Sequence, residues 1–214
     1  MDLILSNVQE QRLKKRGQWQ AALLMLIIFI PMALAMLVYH TGTGLPQSTT
    51  NKGILLSAPL SIDSIALYDN RQDPWQLAQQ NPQWRWVYFL DGSCQTACQQ
   101  QLYKSRQAHI RLAEKAGRVE RLVIATHRSV NPALSHFLQQ QHPRLQLLST
   151  SEEIFRHWQR ELHSRLPVDT SVDQAQLLMD PQGWLLMFYG SEHTGGDLLG
   201  DIRKLLRTSY EDQQ

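Results

Sequence analysis

The sequence predicts an α/β domain that is built on a largely parallel β-sheet and preceded by one apolar helix. Strand-like and helix-like segments alternate from residue 54 onward, and a tight turn joins the last two strand-like segments. The chain has 214 residues, of which 43% are hydrophobic and 19% are charged, and this composition is typical of a globular protein. Its formal net charge of +2 argues against a dedicated nucleic-acid-binding protein.

The apolar helix is predicted from an uncharged run over residues 21–39, which reads AALLMLIIFIPMALAMLVY. At the rise of an α-helix this run spans about 28 Å, close to the hydrocarbon thickness of a bilayer. Trp19 and Tyr39 stand at its two ends, where interfacial aromatic residues are common. We therefore expect a transmembrane anchor over residues 19–39, with the lipid bilayer as its partner.

The placement of charges predicts which side of the membrane the domain occupies. Basic residues cluster at positions 12–16, before the anchor, whereas Lys52 stands alone after it. The positive-inside rule places residues 1–18 in the cytoplasm and the domain outside. In a Gram-negative bacterium this would be a single-pass protein of the inner membrane with a periplasmic domain. A cleaved signal peptide is the alternative, because residues 33–35 (ALA) resemble a cleavage site, and it exports the domain as well.

Residues 40–53 have the composition of a linker, and residues 54–214 form the predicted domain. Runs rich in β-branched and aromatic residues predict strands, and apolar positions at helical spacing predict helices. The predicted strands cover residues 61–68, Trp84–Leu90, Val119–Thr126, 145–148, Gln176–Met179 and Trp184–Tyr189. The predicted helices cover residues 98–116, Pro132–Gln141, 151–164 and 197–208, with a helical turn over residues 76–80.

The order of these elements predicts the topology of the sheet. Strands that alternate with helices form a parallel core, because each helix carries the chain back across the sheet. Residues 180–183 (DPQG) have the chemistry of a type I turn, so the last two strands form an antiparallel hairpin. Two cysteines lie where the strand Trp84–Leu90 meets its helix. Together these features predict a thioredoxin-like fold with one N-terminal transmembrane helix.

Cys94 and Cys98 are the only cysteines of the chain, and three residues separate them. On a helical turn they would face the same side with Cα atoms about 6 Å apart, which a disulfide accepts. A helix N-terminus stabilises thiolates, the form that disulfide exchange and soft metal ions such as Cu(I) require. The spacing therefore predicts a disulfide, a redox pair or a Cu(I) site. An inert structural disulfide is the alternative.

Two segments carry a family resemblance. Residues 86–102 read WVYFLDGSCQTACQQQL, and residues 177–190 read LLMDPQGWLLMFYG. These segments resemble the aromatic strand with its cysteine pair, and the terminal hairpin, of the Sco/SenC family of membrane-anchored, thioredoxin-like proteins. The resemblance implies that the two cysteines and one distant histidine bind copper. It also implies that the chain assembles the copper centre of cytochrome c oxidase, whose copper-bearing subunit would be its partner.

The chain departs from this family at several positions. Gln95 and Gln99 stand where the family usually has proline, and no histidine lies near Val172, where the family has its metal ligand. His127 is the candidate replacement ligand, and a solvated loop histidine is the alternative. It follows the strand Val119–Thr126, whose end is expected at the same edge of the sheet as the start of the cysteine loop.

The remaining histidines and the arginines near the strands are expected to be structural or solvated. His109 lies too far along its helix from Cys98 to share an ion. His142 and Arg121 are expected at the surface, and His193 is a weak ligand candidate in a Gly-rich turn.

Three functions are compatible with the sequence. The first is an assembly factor that delivers Cu(I) to a cytochrome c oxidase subunit or keeps its cysteines reduced. The second is a membrane-tethered thiol–disulfide oxidoreductase with another substrate, which the missing family histidine favours. The third is a scaffold of respiratory assembly without metal chemistry. Whether the chain is an enzyme stays open at this point.

Overall fold

The fold is taken from a computed structural model, which describes residues 20, 23–40, 51–168, 170, 172 and 175–208. The chain divides into two compact units, Met1–Thr49 and Thr50–Gln214. The predicted cytoplasmic segment 1–18 and most of the predicted linker 40–53 lie outside the described residues.

The first unit contains one described helix, α1, over Leu23–His40. Its 18 residues have a mean hydropathy of 2.4, so by length and composition it can cross a membrane. Pro31 lies inside this helix, which bilayer-spanning helices tolerate.

The second unit is built on one sheet of eight strands in the order β1-β8-β7-β4-β5-β6-β2-β3. The pairs β4–β5 and β5–β6 are parallel, and the other pairs are antiparallel. The strands are β1 (Ile54–Ser61), β2 (Leu67–Tyr68), β3 (Pro74–Trp75), β4 (Trp84–Leu90), β5 (Val119–Thr126), β6 (Leu145–Thr150), β7 (Gln176–Met179) and β8 (Trp184–Tyr189).

The described residues of this unit also form four helices and three short 3₁₀ segments. The helices are α2 (Thr96–Ile110), α3 (Pro132–Gln141), α4 (Glu152–His163) and α5 (Gly195–Thr208). The 3₁₀ segments are Ile62–Ser64, Leu77–Gln79 and Ala113–Arg118.

Alternation along the strands creates a core on each face of the sheet. On β4, Trp84, Trp86 and Tyr88 belong to buried clusters with side chains of α2, α3 and α5. Val87 of β4 and Phe89 instead pack in the cluster that contains Trp158 of α4. Helices α2, α3 and α5 therefore cover one face, and α4 covers the other.

The predicted fold class is confirmed, and the bounds of β4, β5, β7, β8 and α3 are those read from the sequence. The predicted strand 61–68 is wrong. The chain instead forms β1, a 3₁₀ turn capped by the Ser61 hydroxyl, and the short β2. Strand β1 begins at Ile54, before the predicted start, because its residues pair with β8. Leu56 and Leu60 of β1 are buried in the core.

The predicted helix 98–116 is also too long. Helix α2 ends at Ile110, and Ala113 adopts a positive φ of 51° at the start of a 3₁₀ segment. This change of direction brings the chain back to β5 within a few residues. The predicted helical turn near residues 76–80 is confirmed as the segment Leu77–Gln79.

A buried carboxylate holds the start of the second unit against its last helix. The Asp201 side chain, on α5, has 0% exposure and accepts hydrogen bonds from the backbone N–H groups of Lys52 and Gly53 at 2.8–3.0 Å. It also accepts a hydrogen bond from the Tyr189 hydroxyl at 3.1 Å. The Asp201 side chain therefore holds the backbone at residues 52 and 53 beside α5.

Candidate functional site

The two cysteines form a disulfide between the end of β4 and the start of α2. Their Cα atoms are 5.1 Å apart. Helix α2 begins at Thr96, so Cys98 lies in its first turn and Cys94 lies in the loop before it. The two cysteines therefore do not share a helical turn, and the loop before α2 brings the Cys94 sulfur to Cys98.

A hydroxyl pair fixes the loop that carries Cys94. Gly92 has a φ of +86°, a conformation that favours glycine, and its N–H donates to the Ser129 Oγ at 2.7 Å. The Ser129 and Thr126 hydroxyl oxygens are 2.6 Å apart, and both residues are buried. No local sequence pattern predicts this contact, because Ser129 lies 37 positions from Gly92 in the chain.

The two sulfurs differ in their access to solvent. Cys98 is 4% exposed and belongs to the cluster that contains Leu102 of α2 and Leu134 of α3. Cys94 is only half-buried and packs against this cluster from outside. An incoming thiolate therefore reaches Cys94 first, and Cys98 is placed to be the leaving sulfur in the first exchange step.

The electrostatic surroundings favour a thiolate. Gln95, the N-cap of α2, makes no side-chain capping hydrogen bond, and the first turn contains no acidic residue. The N–H groups of this turn and the positive end of the helix dipole are thus available to stabilise a negative sulfur. Burial raises the pKa of nearby Tyr88 to about 12, so its hydroxyl stays neutral and adds no competing charge.

A cavity of about 450 Å³ adjoins the disulfide. Cys98 lines it, together with Trp158 and Leu162 of α4. Phe89, which also lines the cavity, stacks on Trp158 with ring centroids 4.6 Å apart, so this part of the lining is apolar. The cavity can accept apolar side chains of a segment that approaches the disulfide.

Val172, close to where the family resemblance predicts a histidine, lines this cavity. Cys98 lines the same cavity, and the valine side chain offers no donor atom to a metal there.

The structure does not bring His127 together with the cysteines. Residue 127 follows β5, and Ala125 of β5 pairs with Leu90 of β4, so the predicted sheet edge is correct. His127 is exposed and its ring centroid lies 5.9 Å from that of Tyr68. The backbone N–H of His127 donates to the carbonyl oxygen of Thr150 in β6. Within the part of the chain that the structure describes, no three His, Cys, Asp or Glu side chains group in a way that could hold a metal ion.

The other histidines have structural contacts. His193 accepts a hydrogen bond from the Gly190 N–H at 3.0 Å, and its Nε2 lies 3.1 Å from the Lys52 carbonyl oxygen. His109 is buried and its Nε2 contacts the carbonyl oxygen of Val119 at 2.9 Å. Burial lowers the pKa of His109, which keeps the ring neutral.

Two expectations about solvated side chains are wrong. Arg121 is 3% exposed and His142 is 4% exposed, and they contact each other beneath α2. Arg121 shares its strand face with Val119 and Val123, which point toward the helices, so its place in β5 forces it inward.

The arrangement of β4, β5 and β6 with the β7–β8 hairpin, and the cysteine pair between β4 and α2, defines a thioredoxin-like protein. The family model described as "Transmembrane-like, thioredoxin-like, C-terminal domain" matches residues 84–209, more than half of the chain. The chain belongs to this family. Together with α1, this assignment fits a single-pass membrane protein. A search of curated protein sequences found no match.

Solved structures of Sco proteins share the fold. The copper-bound ScoI of Arabidopsis thaliana is 18% identical, with a TM-score of 0.53 over 72% of this chain and 99% of that chain. Yeast Sco1 is 19% identical, with a TM-score of 0.52 over 72% and 98% of the two chains. Apo Sco1 from Thermus thermophilus is 18% identical, with a TM-score of 0.54 over 75% and 99%. The predicted resemblance to this family is confirmed at the level of the fold.

Proposed function

We propose that the chain is a membrane-anchored, Sco-like assembly factor for cytochrome c oxidase that acts through Cys94 and Cys98. The observation that carries the proposal is the cysteine pair at an uncapped helix N-terminus, beside an open cavity, on a fold shared with copper-bound Sco structures. The proposed arrangement has residues 1–18 in the cytoplasm, an anchor over 19–39, a linker over 40–53, and the domain 54–214 on the outer side of the cytoplasmic membrane.

The first task we propose for this site is delivery of Cu(I), which is cargo and not a resident cofactor. A separate dithiol reductant gives two electrons to the disulfide and is itself oxidised to a disulfide, which leaves Cys94 and Cys98 as two thiolates that suit this soft ion. Val172 offers no third donor, so the ion would be held weakly and released easily. His127, which lies at the same sheet edge, is the third ligand to be tested.

The second task is reduction of a disulfide in the copper-bearing subunit. The Cys94 thiolate attacks one sulfur of that disulfide, forms a mixed disulfide, and displaces the other subunit sulfur as a thiolate. The Cys98 thiolate then attacks Cys94 and releases the second subunit thiolate. The subunit gains two electrons, the Cys94–Cys98 disulfide forms, and a separate dithiol reductant resets the pair.

A general thiol–disulfide oxidoreductase with another substrate is the second candidate function. The observation that favours it is the lack of a third metal donor beside the two cysteines in the described part of the chain. Its test is the reduction potential of the pair, measured by glutathione equilibration. A potential in the range of catalytic couples supports exchange, whereas a very negative one fits a structural disulfide and the scaffold function.

The assembly function is tested in cells that lack the chromosomal copy and produce the wild-type chain, a Cys94→Ser/Cys98→Ser variant, or Ser93→Ala as the neighbouring control. The measured quantities are cytochrome c oxidase activity and oxidase-bound copper. We expect the double variant to lose both and the control to retain both. Normal oxidase copper in the double variant, at equal protein levels, would refute the proposal.

A further inference from the structure

One hydrogen bond joins the segment before α2 to the rest of the domain. We call residues 92–94, which lie between β4 and the N-cap of α2, the Cys94 segment. The Gly92 N–H donates to the Ser129 Oγ at 2.7 Å. In the described part of the chain, the other hydrogen bonds of this segment go to Gln95 and Gln99 at the start of α2. Ser129 therefore fixes the Cys94 segment relative to the sheet.

Ser129 is itself held firmly in the turn between β5 and α3. Its backbone N–H donates to the Thr126 carbonyl oxygen at 2.9 Å, and the Asn131 side chain donates to its carbonyl oxygen at 3.3 Å. Its Oγ lies 2.6 Å from the hydroxyl oxygen of Thr126, the last residue of β5. Ser129 and Thr126 are 2% and 1% exposed. The acceptor that holds Gly92 is thus a fixed part of the core.

The contact on the other side of Cys94 is weaker. The Gln99 side-chain amide donates to the Cys94 carbonyl oxygen at 3.3 Å, and this hydrogen bond is exposed. Water can replace an exposed hydrogen bond at little cost, whereas the shorter bond between Gly92 and Ser129 is partly buried. Ser129 therefore provides the stronger restraint on the position of Cys94.

This restraint and the disulfide act on the same short piece of chain. Gly92 lies two residues before Cys94, which the disulfide joins to Cys98 of α2. Ordering each residue costs conformational entropy, so a segment that is held by one bond loses less entropy when the second bond forms. The hydrogen bond and the disulfide therefore favour each other, as interactions that share a segment commonly do.

We propose that Ser129 is a positioning residue that sets the reduction potential of the Cys94–Cys98 pair. It acts through Gly92, whose hydrogen bond keeps the Cys94 segment in the conformation that the disulfide requires. The disulfide is thereby more stable, so a stronger dithiol reductant is needed before the pair can bind Cu(I) or reduce a client disulfide. The inference rests on the function proposed above, in which the pair alternates between dithiol and disulfide.

The test is the equilibrium of the full chain, in detergent, with glutathione. Two glutathione molecules give two electrons and two protons to the disulfide, become one glutathione disulfide, and leave Cys94 and Cys98 as thiols. Quenched samples are alkylated, and mass spectrometry measures the share of dithiol. Copper and client proteins are left out, so the result does not depend on oxidase assembly. Normal oxidase copper in the double cysteine variant would refute the assembly function alone.

Two variants change the hydroxyl pair. Ser129→Ala removes the acceptor and should lower the equilibrium constant for disulfide formation about fivefold, the factor that one neutral hydrogen bond contributes. At about 30 mV for a tenfold change, this raises the reduction potential by about 20 mV. Thr126→Val removes the neighbouring hydroxyl at nearly equal volume, and should shift the constant in the same direction but by less.

Ser149→Ala is the matched control. Ser149 lies on β6, two strands from β4, and is 3% exposed. Its hydroxyl donates to the Tyr68 carbonyl oxygen at 3.5 Å. We expect this variant to lower Tm and to keep the wild-type equilibrium constant, because a loss of stability that the oxidised and reduced forms share cancels in the reduction potential.

Either of two results would overturn the proposal. A wild-type equilibrium constant in Ser129→Ala would show that the hydrogen bond does not distinguish the disulfide from the dithiol. An equal shift in Ser149→Ala would show that loss of any buried hydroxyl changes the potential. If Ser129→Ala does not fold, Thr126→Val decides in its place, and a wild-type constant in that variant would overturn the proposal as well.

Discussion

Replacing Asp201 tests how the structure holds the start of the domain. The Asp201 carboxylate is fully buried and accepts hydrogen bonds from the N–H groups of Lys52 and Gly53 and from the Tyr189 hydroxyl. The variant Asp201→Ala removes all of these acceptors, whereas Asp201→Asn keeps one oxygen. We therefore expect the alanine variant to be the less stable of the two.

The expected loss follows from these contacts. A hydrogen bond to a charged group contributes about 1.5–3 kcal/mol, and the contributions of neighbouring bonds are not additive. Water can reach part of the freed backbone near Lys52, which is exposed, but not the buried Tyr189 hydroxyl. We therefore expect Asp201→Ala to lower the free energy of unfolding by about 3–4 kcal/mol, which is less than the simple sum of its hydrogen bonds. For Asp201→Asn we expect a loss of about 1–2 kcal/mol.

Thermal unfolding of the full chain in detergent, followed by tryptophan fluorescence with the disulfide intact, measures this loss. For a domain of this size, about 3 kcal/mol corresponds to a decrease of about 10 °C in Tm. Asp63→Ala, which removes an exposed carboxylate from a 3₁₀ turn, is the control and should leave Tm unchanged. A Tm for Asp201→Ala within the error of this control would refute the assigned role of the carboxylate.

Three further predictions concern the cysteine site and the buried histidine. Val172→His should increase the affinity of the reduced chain for Cu(I), measured in competition with a chromophoric chelator, and Val172→Leu is the control. Equal Cu(I) affinities of these two variants would contradict the placement of residue 172 beside the cysteines. Lowering the pH from about 6.5 to about 4 should destabilise the fold, because the unfolded chain protonates His142 at its ordinary pKa of 6.5 and the folded chain only at about 4. His142→Gln should reduce this loss of stability, measured as the decrease of Tm with falling pH. The same dependence of Tm on pH in the variant and the wild type would contradict the role of His142. Arg121→Gln should raise the pKa of His142, because it removes a neighbouring positive charge. The pKa should stay below its ordinary value, because burial lowers it more than Arg121 does. An NMR titration that shows no rise in this pKa would contradict the contact between Arg121 and His142.

The central strands were predictable because their signal is local. β4 (WRWVYFL) and β5 (VERLVIAT) are rich in aromatic, aliphatic and β-branched residues and are almost wholly buried, which is typical of central strands. The edge strands β1 and β2 were not predictable in this way. Their bounds depend on pairing with β8 and β6, which are distant in sequence.

The sequence predicted the chemistry of the candidate site, but not the difference in solvent exposure between its two cysteines. The spacing of the two cysteines and their place after β4 predicted a disulfide, a redox pair or a Cu(I) site, and the structure contains the disulfide. The burial of Cys98 and the partial exposure of Cys94 depend on where α2 starts, and no capping residue marks that start in the sequence. Ser129 and Asp201 were missed because each acts on a backbone segment far away in the chain.

A signal was available for two of the missed residues. Arg121 has the same strand parity as Val119 and Val123, so alternation alone places it on the covered face of β5. Asp201 lies between Leu198 and Ile202 on the apolar face of α5, where a carboxylate requires buried donors. In both cases the pattern predicts burial, and only the fold identifies the partners.

Cu(I) binding by the fully reduced full-length chain is the most direct test of the central claim. The chain competes with a chromophoric Cu(I) chelator under anaerobic conditions, next to Cys94→Ser, Cys98→Ser and His127→Ala. We expect stoichiometric binding that either serine variant abolishes, and weaker binding in His127→Ala would identify the third ligand. A folded, fully reduced chain that fails to compete with the chelator would contradict copper delivery and leave thiol exchange or scaffolding as the function.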